Sequence, residues 1–471
     1  MPSREDPETP PDGPRRAALI ARLEAAGSYP RWVLIAAISG MFATGFPVTI
    51  LTVSLRSIAI EMETTETVIA WVISAPILLS AVALPLLGKI GDMRGHRRIF
   101  LVGSLASVIT AFLTVAAWDA ASLIVLRTLA AVLGAATQPS SMALIFTVYG
   151  PLGRSRAMGW WSMAGAAAPA LGLIAGGPLV DALGWRVVFL IQGLLGIPAL
   201  VLAWLVLRET PARRVRFDVW GSLSLAVSMA ALMLSLSLVR DAGLAAPRVW
   251  LTAAVGAAGL GAFVAVERRT RQPLLPLQFF AYRNFTAPIL ANGLMGAAYM
   301  GAFVLAPLVL LEIFGGTITS AALIMLLRTS TLTVASLAGG YFADRVGERR
   351  GAIIGTAIMT LALVVLAAGI LDRSLLLFGA GLMLQGLGHG LALPPMNSAI
   401  ADAVPHEDLG IASAASRLMA QVGTAFGITL FTLALGGRSD PAAFAAAFAV
   451  GVALSALSTL TAAGMQKRSV V

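Results

Sequence analysis

"GKIGDMRGHRR" (88–98) puts four basic residues and one aspartate into eleven positions, between two long apolar runs. "GGYFADRVGERR" (339–350) repeats the arrangement. Gly88, Asp92, Gly95, Arg97 and Arg98 correspond to Gly340, Asp344, Gly347, Arg349 and Arg350, an offset of 252 residues. In each copy the aspartate follows the first glycine by four positions, the second glycine permits a tight turn, and the arginines open the next helix. A carboxylate so placed can meet the positive N-terminal end of a neighbouring helix or pair with an arginine. Contacts of that kind last only while two bundles touch on one side, so the ten residues form a candidate conformational latch. A basic loop with a turn glycine explains one copy equally well. Two copies with matching order and spacing are far more specific.

The surroundings set the class. Of 471 residues, 58% are hydrophobic and 12% charged, and the mean hydropathy is +0.87. Soluble domains carry about 25% charged residues, whereas a bilayer span needs roughly 20 mostly apolar residues. Fourteen such segments are read, at 33–55, 68–88, 99–117, 121–148, 157–180, 185–207, 219–238, 249–266, 286–311, 317–342, 351–371, 374–401, 411–436 and 441–465. The sequence predicts an all-α integral membrane protein. Of the 33 Lys and Arg residues, 24 lie in the tails and the loops after even-numbered spans, six in the opposite loops, and Arg127, Arg328 and Arg417 within spans. This bias expects both termini in the cytoplasm and a multi-pass protein of the cytoplasmic (inner) membrane. The net charge of +10 is thus a topology signal, and no basic patch with interleaved aromatics points to nucleic acid.

The first 30 residues are polar, with five prolines by position 14, and the first span is expected to serve as its own insertion signal. With no cysteine there is neither a disulfide framework nor a thiolate metal site. No metal site and no cofactor are expected. "RRAALIARLEA" (15–25) reads as a short helix on the cytoplasmic membrane surface or as a simple helical extension. Residues 267–285 read as a second interfacial segment.

On the paired loops the chain resembles the major facilitator superfamily, and within it the fourteen-span drug/proton antiporter family. "RTLAAVLGAATQP" (127–139) is similar to that family's span-4 motif, with Ala130 and Ala131 in place of a Gln-Gly pair. "GAAAPALG" (165–172) resembles its span-5 antiporter motif, with Ala168 where glycine is usual. "WVISAPILLSAVALPLLGKIGD" (71–92), "GWRVVF" (184–189) and "PHEDLGIASAASRLMAQVGTAFGI" (405–428) carry the likeness further. The resemblance implies two pseudo-symmetric six-helix bundles at 33–207 and 286–471. An inserted helix pair with its linkers occupies 208–285, after a cytoplasmic tail at 1–32. It also implies a monomer that moves a small molecule, with protons, through a midplane site between the bundles. The family's span-1 aspartate is replaced here by Pro47.

Charges at a helix centre are costly and suggest function. Arg127 lies six residues into span 4, with Ala131, Gly134 and Gln138 on its face; the resemblance assigns it to proton transfer or substrate contact, and the alternative is snorkelling. Arg328 in span 10 and His389 in span 12 match in depth, with Gln385 one turn before His389. A packing role for His389 is an equal alternative. Arg417 pairs with Gln421 at i, i+4, or snorkels to the cytoplasmic surface. In span 5, Gly165, Pro169, Gly172 and Gly176 suit a hinge or a close seal between bundles. Trp160 and Trp161 read as interfacial-belt residues.

No Asp or Glu lies near the middle of a span, which disfavours lipophilic cations. The leading expectation is proton-driven export of small amphiphilic compounds; the alternative is organic-anion transport by the embedded arginines. A membrane enzyme would need clustered His or carboxylate residues, and ATP-driven transport a GxxxxGK[ST] loop; the sequence has neither. Reporter fusions after Arg269 and Arg350 should read cytoplasmic, and fusions within 239–248 external. A cytoplasmic reading at 239–248 removes spans 7 and 8 as a crossing pair.

Overall fold

A computed structural model of the protein describes residues 14–45, 55, 58–69, 71–150, 153–210, 218–270, 273, 275, 277–405 and 408–466. The elements among them are helices, and a helix occupies each of the fourteen segments. They run Tyr29–Gly45 (span 1), Trp71–Arg94 (2), His96–Val115 (3), Ala120–Gly134 with Thr137–Val148 (4), Arg154–Leu183 (5), Arg186–Val206 (6) and Val219–Ala242 (7). The series continues with Pro247–Arg269 (8), Arg283–Glu312 (9), Ile318–Val346 (10), Glu348–Leu371 (11), Leu375–Asp402 (12), Leu409–Leu435 (13) and Pro441–Ala463 (14). Eleven described helices are long and apolar enough to cross a membrane, twelve if Trp71–Ile77 and Val82–Arg94 are one bent span. Span 1 passes after Gly45 into residues outside this description, among them Pro47.

Local chemistry sets several boundaries. Asp119, Asp218, Thr317, Ser374 and Asp440 cap the starts of spans 4, 7, 10, 12 and 14 by accepting a backbone N–H. Span 4 breaks between Gly134 and Thr137, where Pro139 has no N–H to offer the carbonyl four residues earlier. Gly95 (φ +93°) and Gly347 (φ +89°) make the two latch turns with backbone that a side chain would strain.

Apolar helices gain little from one another's hydrophobicity in lipid, so close approach by small residues holds them together. Spans 9 and 13 meet at Gly293, Gly423 and Gly427, where an added Cβ on either span-13 glycine would collide with the span-9 backbone. Gly386 and Gly390 press span 12 onto span 10, and Gly388 presses it onto span 11. One cluster joins spans 9 to 14 around Leu363, Phe378, Phe431 and Phe448; another joins spans 1, 4 and 5 around Met142, Phe146 and Trp161. Spans 7 and 8 form a hairpin, tied by Ser228 and Ser235 donating to the carbonyls of Gly256 and Val249 at 2.7 and 3.0 Å.

Both amphipathic segments pack apolar residues on protein, although the second leaves Phe280 and Tyr282 exposed. In the helix Pro14–Ala25, Ile20 is fully buried, Arg16 donates to the Leu207 carbonyl, and Glu24 pairs with Arg208 at the end of span 6. The 3-10 turn Leu277–Ala281 buries Phe279, and Lys89 of span 2 donates to the Pro273 carbonyl at 2.9 Å. An oily side chain gains as much from a protein groove as from lipid, and periodicity alone does not distinguish the two.

Gly427→Val should lower the unfolding temperature in detergent, with roughly 1–3 kcal/mol lost to overpacking. Gly261 faces open space, and Gly261→Ala should leave that temperature within a degree or two.

Candidate functional site

The loops after spans 2, 4, 10 and 12 converge on one face, called the basic face here. Asp92, 6% exposed, accepts hydrogen bonds from the Gly410 and Ile411 N–H groups at 3.0 and 2.9 Å. These are free donors in the first turn of span 13, where the helix dipole favours a negative charge. The mirror contact is an ion pair: Asp344 meets Arg156, in the first turn of span 5, at 3.1 Å. Gly88 and Gly340 allow the crossings. A Cβ on Gly88 would lie 2.6 Å from Ala414 Cβ, and one on Gly340 would lie 2.5 Å from the Ser155 carbonyl oxygen.

The arginines act differently from expectation. Charge alone pairs Arg94, Arg97 and Arg98 with Asp402, Glu407 and Asp408 in the loop before span 13; Glu407 lies outside the described residues. Arg94 and Arg98 have exposed side chains, and Arg97 donates to the Trp204 carbonyl at 3.2 Å. Arg349 does the same in the second copy, donating to the Ala463 carbonyl at 2.9 Å. Each arginine ties its loop to the C-terminal carbonyls of the last helix in its own half. Arg350 is exposed. Asp402 is taken by Arg154.

Two partners were missed. Glu209 accepts from the Arg97 and Arg98 N–H groups, both at 3.0 Å, and so caps span 3. His96 Nε2 lies 2.9 Å from Asp92 Oδ1 and is buried with it. An acid just past span 6 was visible in the sequence, but nothing local links it to a turn 112 residues earlier.

Beyond the latch, a cavity of about 430 Å³ lies between the halves. Arg127, Gln138, Gly165 and Pro169 line it from spans 4 and 5, with His389, Arg417 and Gln421 from spans 12 and 13. No Asp or Glu is among the described residues lining it. Gln192 and Ser162 also line it and were missed, although a glutamine inside span 6 was a readable signal. Gly172 is buried in span 5, and Gly176 lies in the same helix.

Arg417 does not snorkel. It donates to Gln138 Oε1 across the halves at 2.8 Å and stands 5.5 Å from the Trp161 ring centroid. Trp161 therefore departs from the belt reading: it is 2% exposed, lines the cavity, and donates to Ser141 Oγ at 3.0 Å. Trp160 remains exposed. Arg127 stands 5.0 Å from the Phe189 ring centroid. Arg328 and Gln385 do not line the cavity. Both are buried behind its wall, where Arg328 lies 3.8 Å from the Tyr299 ring centroid and Tyr299 stacks on His389 at 4.0 Å.

The two faces differ. On the basic face, Arg154–Asp402, Arg156–Asp344 and the Asp92 contacts join the halves. On the opposite face, the described ion pairs Glu61–Arg186 and Arg438–Asp440 each stay within one half. Burial pushes the Glu61 carboxyl up, but hydrogen bonds from Arg186 and Trp185 outweigh this and hold it below the usual carboxylate range.

A helical membrane protein with a cavity between two halves, joined on one face by mirrored contacts, has the architecture of a membrane transporter. The Major Facilitator Superfamily family model matches residues 34–287 and 288–468, and the chain belongs to that family. It is 30% identical over 450 residues to the puromycin resistance protein pur8 of Streptomyces alboniger, covering 90% of this chain and 89% of that one. It is 26% identical over 374 residues to the multidrug transporter protein MdtP of Bacillus subtilis, covering 78% and 69%. The human organic anion transporter MFSD10 has the same fold, with a TM-score of 0.68 at 15% identity over 92% of this chain and 99% of that one.

Asp92→Asn should open the basic face. Losing hydrogen bonds to a charged acceptor costs about 1.5–3 kcal/mol each. The natural chain has no cysteine, so a single Ser162→Cys reporter in the cavity gives a clean readout. An impermeant maleimide applied from the basic face should label it at least ~10-fold faster in the Asp92→Asn background. Equal rates would reduce the motif to a topology signal.

Proposed function

We propose that this protein is a secondary active exporter of small amphiphilic compounds, of the multidrug-efflux kind, driven by protons and working by alternating access. The observation that carries this reading is the mirrored latch. Asp92 on span 13 and Asp344 at span 5 belong to one symmetric set, so one rocking motion of the halves breaks both contacts. These contacts join the halves on the basic face, which supports a state open toward the opposite side, the one from which an exporter releases its substrate. The names of the two sequence relatives, one a drug-resistance protein and one a multidrug transporter, support efflux.

In this reading the basic face and both termini are cytoplasmic, the membrane is the inner one, and the protein acts as a monomer. Residues 33–207 and 286–471 are the two moving bundles, 208–285 carries the inserted pair, and 1–32 is the cytoplasmic tail, whose helix Pro14–Ala25 packs on the first bundle. The crossings number fourteen. Arg127, Gln138 and Arg417 meet substrate in the cavity, while Gly165, Pro169, Gly172 and Gly176 form the span-5 seam. His389, the histidine among the described residues lining the cavity, is the proton carrier.

Everted proteoliposomes acidified inside should concentrate puromycin and other amphiphiles, and nigericin should abolish the accumulation. His389→Gln should exchange substrate across the membrane but lose its dependence on the pH gradient. Accumulation with an unchanged pH profile in that variant would make His389 a packing residue. Accumulation indifferent to nigericin in the natural protein would exclude the proton as the driving ion.

A further inference from the structure

The described Asp and Glu residues of spans 9 to 14 stand at helix ends or in loops, from Glu312 and Asp344 to Asp408 and Asp440. Arg328 is nonetheless buried, 1% exposed, about 15 Å along span 10 at 1.5 Å per residue. Rings cover it, with the Tyr299 and Phe303 centroids 3.8 and 4.3 Å from its guanidinium carbon. Its Nε and Nη2 have no hydrogen-bond partner. Those two nitrogens form one edge of the guanidinium, the edge whose parallel N–H groups match the two oxygens of a carboxylate.

The neighbours are also unsatisfied. Gln385 is fully buried, and neither its Oε1 nor its Nε2 has a partner; His389 Nδ1 has none either. The spans touch at this level, where a Cβ on Gly386 would collide with the Arg328 carbonyl. His389 stands on the cavity wall, Tyr299 stacks against it at 4.0 Å, and Arg328 lies against the Tyr299 ring. Native interiors seldom leave so many buried polar atoms without partners unless a ligand, an ion or water supplies them.

We propose that Arg328, Gln385 and His389 form a binding site for an acidic group, and that the transported compound supplies it as an aromatic carboxylate. The carboxylate takes the Nε/Nη2 edge of Arg328 and the Gln385 amide. Its ring replaces His389 against Tyr299 or stacks beside it, next to the cavity. This deepens the exporter reading by naming a substrate class, and it rests on the cavity being the transport pathway.

The test uses the purified full-length protein in detergent, in a low-salt zwitterionic buffer. The probes are 2-naphthoate, its neutral shape-match 2-naphthamide, and chloride. Unfolding temperature and tryptophan fluorescence are followed, since Trp161 lines the cavity. The natural protein should bind 2-naphthoate at least ~10-fold more tightly than 2-naphthamide. Arg328→Gln should erase that preference while keeping naphthamide binding, and Arg328→Lys should restore part of it, because a lysine keeps the charge and loses the fork. Should Arg328→Gln not fold, Gln385→Leu removes the second arm of the site and should weaken naphthoate alone. Chloride that competes with naphthoate, dependent on Arg328, supports the shared site. Chloride that binds there while naphthoate does not would make the ligand a small inorganic ion and overturn the proposed class. A preference that survives both variants belongs to Arg127 or Arg417 and overturns the site. No preference in the natural protein overturns it as well. No gradient is involved, so a retained preference with no transport sinks the exporter reading and leaves the site standing.

Discussion

A carboxylate docked on the end of a helix from the other half of the molecule governs much of what this structure does. Asp92 is buried, yet it needs no arginine, because two free N–H groups of span 13 and the His96 ring surround it. Such a contact is strong only at hydrogen-bonding distance, since the helix-end field falls off within a turn. Gly88 is what permits that distance. The same economy appears at Asp344, where Arg156 replaces the bare helix end and Gly340 replaces Gly88. The two contacts are not equivalent in strength. Arg156 is half exposed and its pair is screened by water, whereas the Asp92 contact is closed to solvent.

The division of labour within the loop follows from side-chain reach. A short aspartate is fixed close to its own helix and can only meet what comes to it. A long arginine bends back, and Arg97 and Arg349 both do so, onto the last helix of their own half. Each loop is therefore fastened at home by its arginine and bonded abroad by its aspartate. The repeated spacing in the sequence encodes both jobs.

That spacing, the fourteen apolar runs and the alternation of charge made the fold legible in the sequence, because each follows from what a bilayer tolerates. The motif's aspartate was legible as a partner for a neighbouring helix end, and span 13 supplies that end to Asp92. The arginines were not, since opposite charges on nearby loops suggested a pairing that backbone carbonyls won. Within the cavity, Arg127, Gln138 and His389 stood out as polar residues in apolar runs. Trp161 did not, because a tryptophan near a span end reads as a belt residue and only packing separates it from Trp160. Arg328 and His389 matched in depth, but sequence has no means of placing Tyr299 between them.

Spans 7 and 8 have a consequence for the lipid around the protein. Leu225 and Met229 of span 7 pack with Val82 and Leu86 of span 2 and with Ile411 and Ala415 of span 13. Thr429 of span 13 also donates to the Leu236 carbonyl. The hairpin thus roofs the joint between spans 2 and 13 like a strip laid over a gap. The matching joint between spans 5 and 10 keeps exposed side chains such as Leu171, Leu327 and Val334 along its flanks. The symmetry of the two halves is broken toward the bilayer. The lipid on one flank therefore meets the hairpin, and on the other it meets the side chains of the two halves themselves.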